Sequence, residues 1–187
     1  MAFEQFSPDG RQLVQSASDH AKSFGHSYIG TEHLLLGEMA YEAGQSRGPL
    51  VDRDLTREVV AAEIVTRLAD FTTEADALRS IGIDPERLVE HARAELGTEI
   101  HIGGLTSPTR RLPKNVDPAE IPDDALPFTP RAFKVLNLAV GIAAGEPTEP
   151  RHVLLALVED DGGVAVLALD HLGVDLEALQ AELSVSG

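Results

Sequence analysis

The chain has 187 residues, and its 15 Lys and Arg against 31 Asp and Glu give a formal net charge of −16 at pH 7. That charge repels phosphate backbones and anionic lipid, which argues against nucleic acid and membrane surfaces as partners. The absence of cysteine excludes disulfides, thiolate nucleophiles and cysteine-based metal sites. Because 43% of the residues are hydrophobic and no export signal is recognisable, we expect a cytoplasmic protein with a packed core.

Apolar residues recur at helical spacing along SPDGRQLVQSASDHAKSF, with Ser7 as N-cap and Pro8 at the first helical position. Thr31 is predicted to be the N-cap of a second helix, which has Glu32 in its first turn and three consecutive leucines after it. Three further helices are predicted at about 54–71, 73–80 and 84–96. The first half of the chain is therefore predicted to be entirely helical.

The second half repeats the first after residues 97–127, which hold five of the eleven prolines and are predicted to be a surface connector. FSPDGRQLVQSASDHA aligns with FTPRAFKVLNLAVGIA, EHLLLGEM with RHVLLALV, and ALRSIGIDPERLVEHARAEL with ALDHLGVDLEALQAEL. Three matching blocks in the same order indicate an internal duplication.

The predicted fold is all-α and forms one compact domain. It is a bundle of two repeats of about four helices each, related by a pseudo-two-fold axis. The first repeat spans residues 1–96 and contains an inserted helix at about 54–71. The connector takes residues 97–127, and the second repeat takes residues 128–187.

The strings FSPDGRQLVQSASDHAKSFGHSYIGTEHLLLG, FTPRAFKVLNLAV, HVLLAL and HLGVD closely resemble the double-repeat N-terminal domain of the Clp unfoldase chaperones, in particular the ClpC branch. The resemblance implies a receptor that docks adaptors and substrates for an ATP-driven ring. Some ClpC members bind phosphoarginine as a degradation mark, and relatives from actinobacteria bind hydrophobic cyclic peptides. No G-x-x-x-x-G-K-[ST] motif occurs in the 187 residues, so we expect either a free-standing receptor domain or a piece of a longer unfoldase.

By this resemblance Glu32 pairs with the guanidinium of phosphoarginine, beside Thr31 and the free N–H groups of the helix start, which can receive the phosphate. The alternative is that Glu32 only complements the helix dipole. In the second repeat the matching residue is Arg151, whose charge repels a guanidinium. Glu149, with Thr148 as an alternative N-cap, offers a shifted version of the site.

Aromatic residues are the second set of candidates. Phe3, Phe6 and Phe128 form the set that the resemblance associates with cyclic-peptide binding. The alternative for Phe6 and Phe128 is that each is a hydrophobic staple on the helix that follows it. Phe133 stands where those relatives commonly have lysine, which weakens the transfer of ligand specificity.

The remaining polar residues predict no chemistry. The seven histidines include no H-E-x-x-H pair, so we expect neither a metal nor a cofactor, and His33 and His152 at equivalent positions indicate a hydrogen-bonded structural role. Asp160 and Asp161 are predicted to solvate a loop. The sequence thus favours a non-enzymatic receptor, regulator or decoy that binds Clp components, adaptors or marked substrates. An interaction module that uses the inserted helix and a hydrolase that uses Glu and His in the inter-repeat cleft stay open as alternatives.

Overall fold

The structure, a computed structural model, describes residues 3–70, 74–88, 90 and 126–185. The helices of this part of the chain are α1 (Pro8–Ser23), α2 (Thr31–Gln45), α3 (Arg57–Asp70), α4 (Glu74–Ser80), α5 (Pro130–Ile142), α6 (Pro150–Glu159), α7 (Val164–His171) and α8 (Leu176–Val185). Short 3-10 turns cover Phe3–Gln5 and Val51–Arg53, and residues 85–88 are helical. The predicted all-α fold is confirmed. Nearly all of the predicted connector, the end of the helix predicted at 84–96 and Phe71 lie outside the described residues.

The starts of α1 and α5 are built by the same local signals. Ser7 Oγ accepts the Gly10 N–H at 3.0 Å, and Thr129 Oγ1 accepts the Ala132 N–H at 3.1 Å. A proline follows each cap, where its fixed φ suits the helix and its missing N–H would have had no partner. The predicted cap at Ser7 is therefore confirmed.

The core forms around α2 and α6, which pack against each other and against neighbouring helices. α1 packs on α2, and α5 and α8 pack on α6. Leu34, Leu35 and Leu36 of α2 are all buried, as are Leu154 and Leu157 of α6. Each such leucine stabilises the fold by about 1.5–3 kcal/mol relative to an exposed one, so these two helices supply much of the apolar stabilisation.

Two short parallel bridges tie the helix starts together. Ahead of α1 and α6, the Ser7 N–H donates to Thr148 O at 3.0 Å and the Thr148 N–H to Gln5 O at 2.7 Å. Ahead of α2 and α5, the Ile29 N–H donates to Pro127 O at 2.8 Å and the Thr129 N–H to Ile29 O at 2.9 Å. This reciprocal pairing is compatible with two related repeats, whose boundaries stay a prediction.

The predicted inserted helix is α3, which packs on α2 and α7. Val60 and Ile64 face this core and are fully buried, whereas Val59 is 47% and Val65 56% exposed. The apolar face of α3 is thus mainly internal packing, and only its outer edge meets solvent. None of the described helices is both long and apolar enough to cross a membrane.

Asp160 is not a solvated loop residue, and that prediction is wrong. It ends α6 and is buried, with Oδ2 accepting from Arg131 Nη1 at 2.8 Å and Oδ1 from Lys134 Nζ at 2.9 Å. Both cations lie on α5, which packs against α6 and covers the carboxylate. Asp161, the next residue, is exposed as predicted.

Candidate functional site

The start of α2 is capped differently from the prediction. Gly30 is the N-cap and Thr31 is the first helical residue, so Thr31 does not cap the helix. His33 does so instead, because its Nδ1 accepts the Gly30 N–H at 2.9 Å. Thr31 is buried against the start of α7, where a β-carbon added at Gly163 would lie 2.8 Å from Thr31 Oγ1. Thr31 thus packs against a distant helix and does not cap α2.

The carboxyl group of Glu32 lies in a space that Gly30 leaves free. Glu32 is only 2% exposed, and a β-carbon built on Gly30 would overlap both of its carboxyl oxygens. Gly30 has a φ of −99°, which any residue adopts, so the glycine is needed for room rather than for backbone conformation. The G-T-E spacing thus has a direct steric reason.

At this junction of loop and helix, Gly30–His33, burial shifts the pKa values of the ionisable side chains towards their uncharged forms. It raises the pKa of Glu32 to about 7, against the opposing effect of a hydrogen bond from the residue's own backbone N–H. Burial, together with the nearby His26 and His20, holds the pKa of His33 well below its usual value. Glu32 Oε1 lies 3.4 Å from His33 Nδ1, but that nitrogen already accepts the Gly30 N–H. The contact is therefore not an ion pair.

His33 is held at both ring nitrogens. Its Nε2 lies 2.9 Å from His26 Nδ1, and because Nδ1 of His33 is an acceptor, we assign the proton to Nε2, which donates to His26. His26 stacks on Tyr28 with ring centroids 5.2 Å apart. Burial, and to a lesser degree Glu32, raises the pKa of Tyr28 to about 12. The hydrogen-bonded structural role predicted for His33 is confirmed.

His26, Glu32 and His33 are the residues at this junction that could approach a metal ion, since one ligand atom from each lies within 4.8 Å of the others. A metal on Nε2 of a neutral His33 would require the ring proton to move to Nδ1. That nitrogen faces the Gly30 N–H, so metal binding would break the cap of α2. The three side chains are thus better suited to a hydrogen-bonded cluster than to a metal centre.

The second junction, at the start of α6, has the same cap but a different charge. His152 Nδ1 accepts the Glu149 N–H at 3.0 Å, and Glu149 is the N-cap without a side-chain capping bond. Thr148, the predicted alternative cap, lies one residue earlier, in the bridge to Phe6. Glu149 is exposed, with Oε2 3.5 Å from Arg151 Nε. The shifted carboxylate therefore faces a cation of its own chain.

The aromatic candidates separate into different environments. Phe6 is buried in the core, whereas Phe128 is half-buried and is bridged to Ile29 beside the first junction. Phe3 begins the first 3-10 turn, and its side chain lies outside what the structure describes. Phe133 on α5 is 45% exposed. The fold thus brings Phe128 near Thr31 and Glu32 and places Glu149 at the other junction.

Sequence reasoning missed the parts of the first junction that precede α2. Gly30, His26 and Tyr28 lie in the loop between α1 and α2, where no periodic pattern indicates which side chains meet. The available signal was the density of polar and aromatic residues in GHSYIGTEH. His26 reaches His33 only because the loop folds back over the helix start.

Comparison with known proteins finds similarity to Clp proteins. A model described as the Clp repeat (R) N-terminal domain matches residues 4–50. An ATP-dependent Clp protease ATP-binding subunit ClpA homolog from Trieres chinensis is 29% identical over 95% of this chain and 15% of its own length. The ATP-binding subunit ClpC from Staphylococcus epidermidis is 24% identical over 98% of this chain and 17% of its own. The chain therefore spans only a small part of the length of these relatives.

The fold comparison covers the whole chain. The solved N-terminal domain of the caseinolytic protease associated chaperone ClpD from Arabidopsis thaliana matches 100% of this chain and 96% of its own, with a TM-score of 0.60 at 20% identity. The first junction, Gly30 to His33, lies inside the segment that the family model matches. Residues 4–50 thus match the Clp repeat model, and the whole chain is similar in fold to the solved ClpD N-terminal domain.

Proposed function

We propose that this chain is a non-enzymatic cytoplasmic protein that binds degrons, adaptors or marked substrates of Clp-dependent protein degradation. It would act as a receptor, a regulator or a decoy. The observation that carries the proposal is the helix start at Gly30–His33, which lies in the segment matched by the Clp repeat model. There the acidic side chain of Glu32 is buried and its carboxyl group packs against Gly30. The relatives are named as ATP-binding subunits of a protease. For the part of those proteins that this chain matches, we infer binding of degrons, adaptors or substrates rather than ATP hydrolysis.

The proposed ligand of the first junction is phosphoarginine, with Glu32 and Thr31 as binding residues. An ionised Glu32 would take the guanidinium through two hydrogen bonds. Because its carboxyl is packed against Gly30, it reaches a ligand only after its side chain turns outward, so binding would include a local rearrangement. Since the pKa of Glu32 is about 7, binding should also strengthen as pH rises and the carboxylate forms.

Hydrophobic cyclic peptides are the second proposed ligand class. Phe128 is bridged to Ile29 and is half-buried, so that the solvent-exposed part of its side chain can contact such a peptide. Phe3 and Glu149 would contribute to a corresponding ligand-binding surface at the second junction, the start of α6. There Arg151 competes with any cationic ligand for Glu149, so we expect the first junction to dominate.

Calorimetric titration with free phosphoarginine tests the proposal at the first junction. The wild type should bind saturably, Glu32→Gln should not, and unmodified arginine should give no signal. Glu149→Gln is the matched control, because it removes an exposed carboxylate at the equivalent helix start and should leave binding intact. Absence of binding in the wild type would rule out phosphoarginine as the ligand. The same titration with a hydrophobic cyclic peptide would then test binding at Phe128 and Phe3.

The two alternative functions have less support in the geometry. An interaction module based on α3 would have to use its outer edge at Val59 and Val65, because Val60 and Ile64 are buried. A hydrolase in the inter-repeat cleft would need a free imidazole nitrogen beside Glu32. His33 offers none, since Nδ1 accepts from Gly30 and Nε2 donates to His26.

A further inference from the structure

Two carboxyl groups on α2 are buried outside the junction described above. Glu38 is 3% and Glu42 is 2% exposed, and they lie one helical turn apart on the same face. Glu38 Oε2 and Glu42 Oε1 are both buried without a hydrogen-bond partner among the described residues. Leaving a buried polar atom unpaired costs about 1–3 kcal/mol, so two such atoms on neighbouring carboxyl groups call for a common explanation.

The other oxygen of Glu42 holds the loop at residues 46–55 against α2. Glu42 Oε2 accepts the N–H groups of Leu50 and Val51, each at 2.9 Å. Gly48 has a φ of +147°, and a β-carbon there would overlap the carboxyl group of Glu42. Leu50 is fully buried beneath the loop. The loop is thus wrapped around the Glu42 side chain and depends on it for its position.

Both carboxyl groups hold protons more strongly than ordinary glutamates. Burial, with the neighbouring Glu42, raises the pKa of Glu38 well above its usual value. Burial raises the pKa of Glu42 to about 7, even though the Val51 and Leu50 N–H groups and Arg53 oppose the shift and Asp52 adds to it. Two negative charges on adjacent turns of one buried helix face would repel each other.

The groups that surround the pair supply only partial compensation of its charge, through Arg53 near Glu42. On α2 itself, the hydroxyl of Tyr41 lies within electrostatic reach of Glu38 and donates to Asp9 of α1 at 3.2 Å. Glu149 at the start of α6 faces the same tyrosine. Arg53, in the 3-10 turn, also forms an ion pair with Glu182 of α8, in which Nη2 lies 2.9 Å from Oε2. Most of the charged groups near the pair are therefore acidic.

We propose that Glu38 and Glu42 share a proton, and that this proton is a latch that keeps the 46–55 loop closed on α2. The proton comes from solvent and resides on Glu38, which donates it to Glu42 Oε1, so that both orphaned oxygens gain a partner. Its loss leaves two facing carboxylates, and their repulsion acts on the same Glu42 side chain that holds Leu50 and Val51.

Release of the loop would change a groove on the surface. The groove has a volume of about 500 Å³ and lies between α2, through Met39 and Ala43, and the loop, through Val51 and Leu55. Val51, one of the two residues whose N–H groups Glu42 accepts, belongs to this second wall. A change of protonation inside the helix is thereby coupled to the shape of an exposed site.

The direction of the pH effect follows from proton linkage. Opening of the loop exposes the Glu42 carboxyl group, whose pKa then returns toward its ordinary value near 4.5, whereas in the closed loop its pKa is about 7. The closed form therefore binds more protons between these values, and opening becomes more favourable as pH rises, by up to about tenfold per pH unit for each proton. Below about pH 4.5 opening should not change with pH.

Hydrogen–deuterium exchange of the Leu50 and Val51 amides tests the latch in the intact chain. After correction for the intrinsic exchange rate, their opening constant should be at least about tenfold larger at pH 8 than at pH 6. The amides of Leu154 and Leu157 in the core serve as an internal reference, because their change reports global unfolding. An opening constant that is the same at both pH values, or that rises only in step with the reference amides, would overturn the proposal.

Glu38→Gln separates the shared proton from other causes. Its amide donates permanently to Glu42 Oε1, so the loop should stay protected at pH 8 and the pH dependence should shrink by about tenfold. Glu58→Gln, at an exposed carboxylate of α3, should behave as the wild type. A Glu38→Gln profile identical to the wild type would reject the latch. If this variant does not fold, carboxyl ¹³C titration of the wild type decides, and both groups titrating near pH 4.5 would reject it.

Discussion

The starts of α2 and α6 are the two most closely comparable regions of the molecule, and they differ in one informative way. In both, a histidine at the third helical position accepts the N–H of the N-cap residue, at 2.9 Å from Gly30 and 3.0 Å from Glu149. The residue just before the histidine is a buried, acidic Glu32 at α2 and a half-buried, cationic Arg151 at α6. The backbone architecture is thus the same, while the chemistry differs.

The difference follows from what precedes each helix. Gly30 leaves room for a carboxyl group to fold back over the helix start, whereas Glu149 carries a side chain of its own that points to solvent. The histidine cap maintains the helix start in both places. The residue next to it is free to differ, and this is where we expect specificity to reside.

The largest expected effect comes from removing the two histidines separately. His33→Ala should cost about 3 kcal/mol of unfolding free energy, because it deletes a fully buried ring and leaves the Gly30 N–H unpaired. His152→Ala should cost less, about 1–2 kcal/mol, because that ring is 9% rather than 0% exposed and His33 makes a further hydrogen bond to His26. Urea denaturation measures both. Equal losses of unfolding free energy would show that the two histidine caps stabilise the fold equally. The deeper burial of His33 would then contribute no additional stability.

The pH dependence of stability should distinguish the two junctions next. The pKa of Glu32 is raised to about 7 in the folded chain, so the protonated form is favoured by folding and its contribution falls as pH rises from about 4.5 through 7. Between pH 5 and 8 the wild type should lose about 2 kcal/mol relative to Glu32→Gln. Denaturation of both proteins across this range provides the measurement, and Arg151→Gln should show no such difference. Parallel curves for the wild type and Glu32→Gln would mean that the carboxyl titrates normally.

A methyl group at the two N-cap positions tests the steric part of the comparison. Gly30→Ala should destabilise the fold by about 1–2 kcal/mol, because the new β-carbon displaces the Glu32 carboxyl group. Glu149→Ala should change stability little, since Glu149 makes no side-chain capping bond. In the Gly30→Ala, Glu32→Ala double variant much of the loss should disappear. Strict additivity of the two substitutions would contradict a direct contact.

The smallest expected effect is at Arg151. Its contact with Glu149 is long, at 3.5 Å, and both side chains are substantially exposed. Arg151→Ala should therefore change the unfolding free energy by no more than about 0.5 kcal/mol. If phosphoarginine is a ligand, Arg151→Glu should add a second, weaker binding event in calorimetry. A single event in this variant would show that the second helix start lacks more than the acidic side chain.

Some features of the fold could be predicted because their causes are local. Ser7 with Pro8 and Thr129 with Pro130 define helix starts through side chains that reach only three residues along the chain. The apolar spacing of α3 correctly predicts a helix with one buried face, although it does not say that α2 and α7 cover that face. The similar motifs in the two halves also indicated the resemblance to the Clp N-terminal domain. The family model for that domain matches residues 4–50.

Other features could not be predicted because they depend on contacts between distant parts of the chain. Thr31 has the residue type of an N-cap, but in the structure it is the first helical residue and is buried against Gly163. Asp160 follows an ordinary helix end, and only the packing of α5 on α6 surrounds it with Arg131 and Lys134. Sequence patterns contain no record of which helix covers a given polar side chain.

By itself, the sequence determined the helices, the cap at Ser7 and the likeness to the Clp repeat, since these depend on short-range hydrogen bonds and on the order of motifs. Only the tertiary structure decided that three glutamates of α2, Glu32, Glu38 and Glu42, are buried. Glutamate is a surface residue by default, and its pKa rises only when other helices and loops exclude water from around it. The protonation behaviour proposed for this protein is therefore a property of packing.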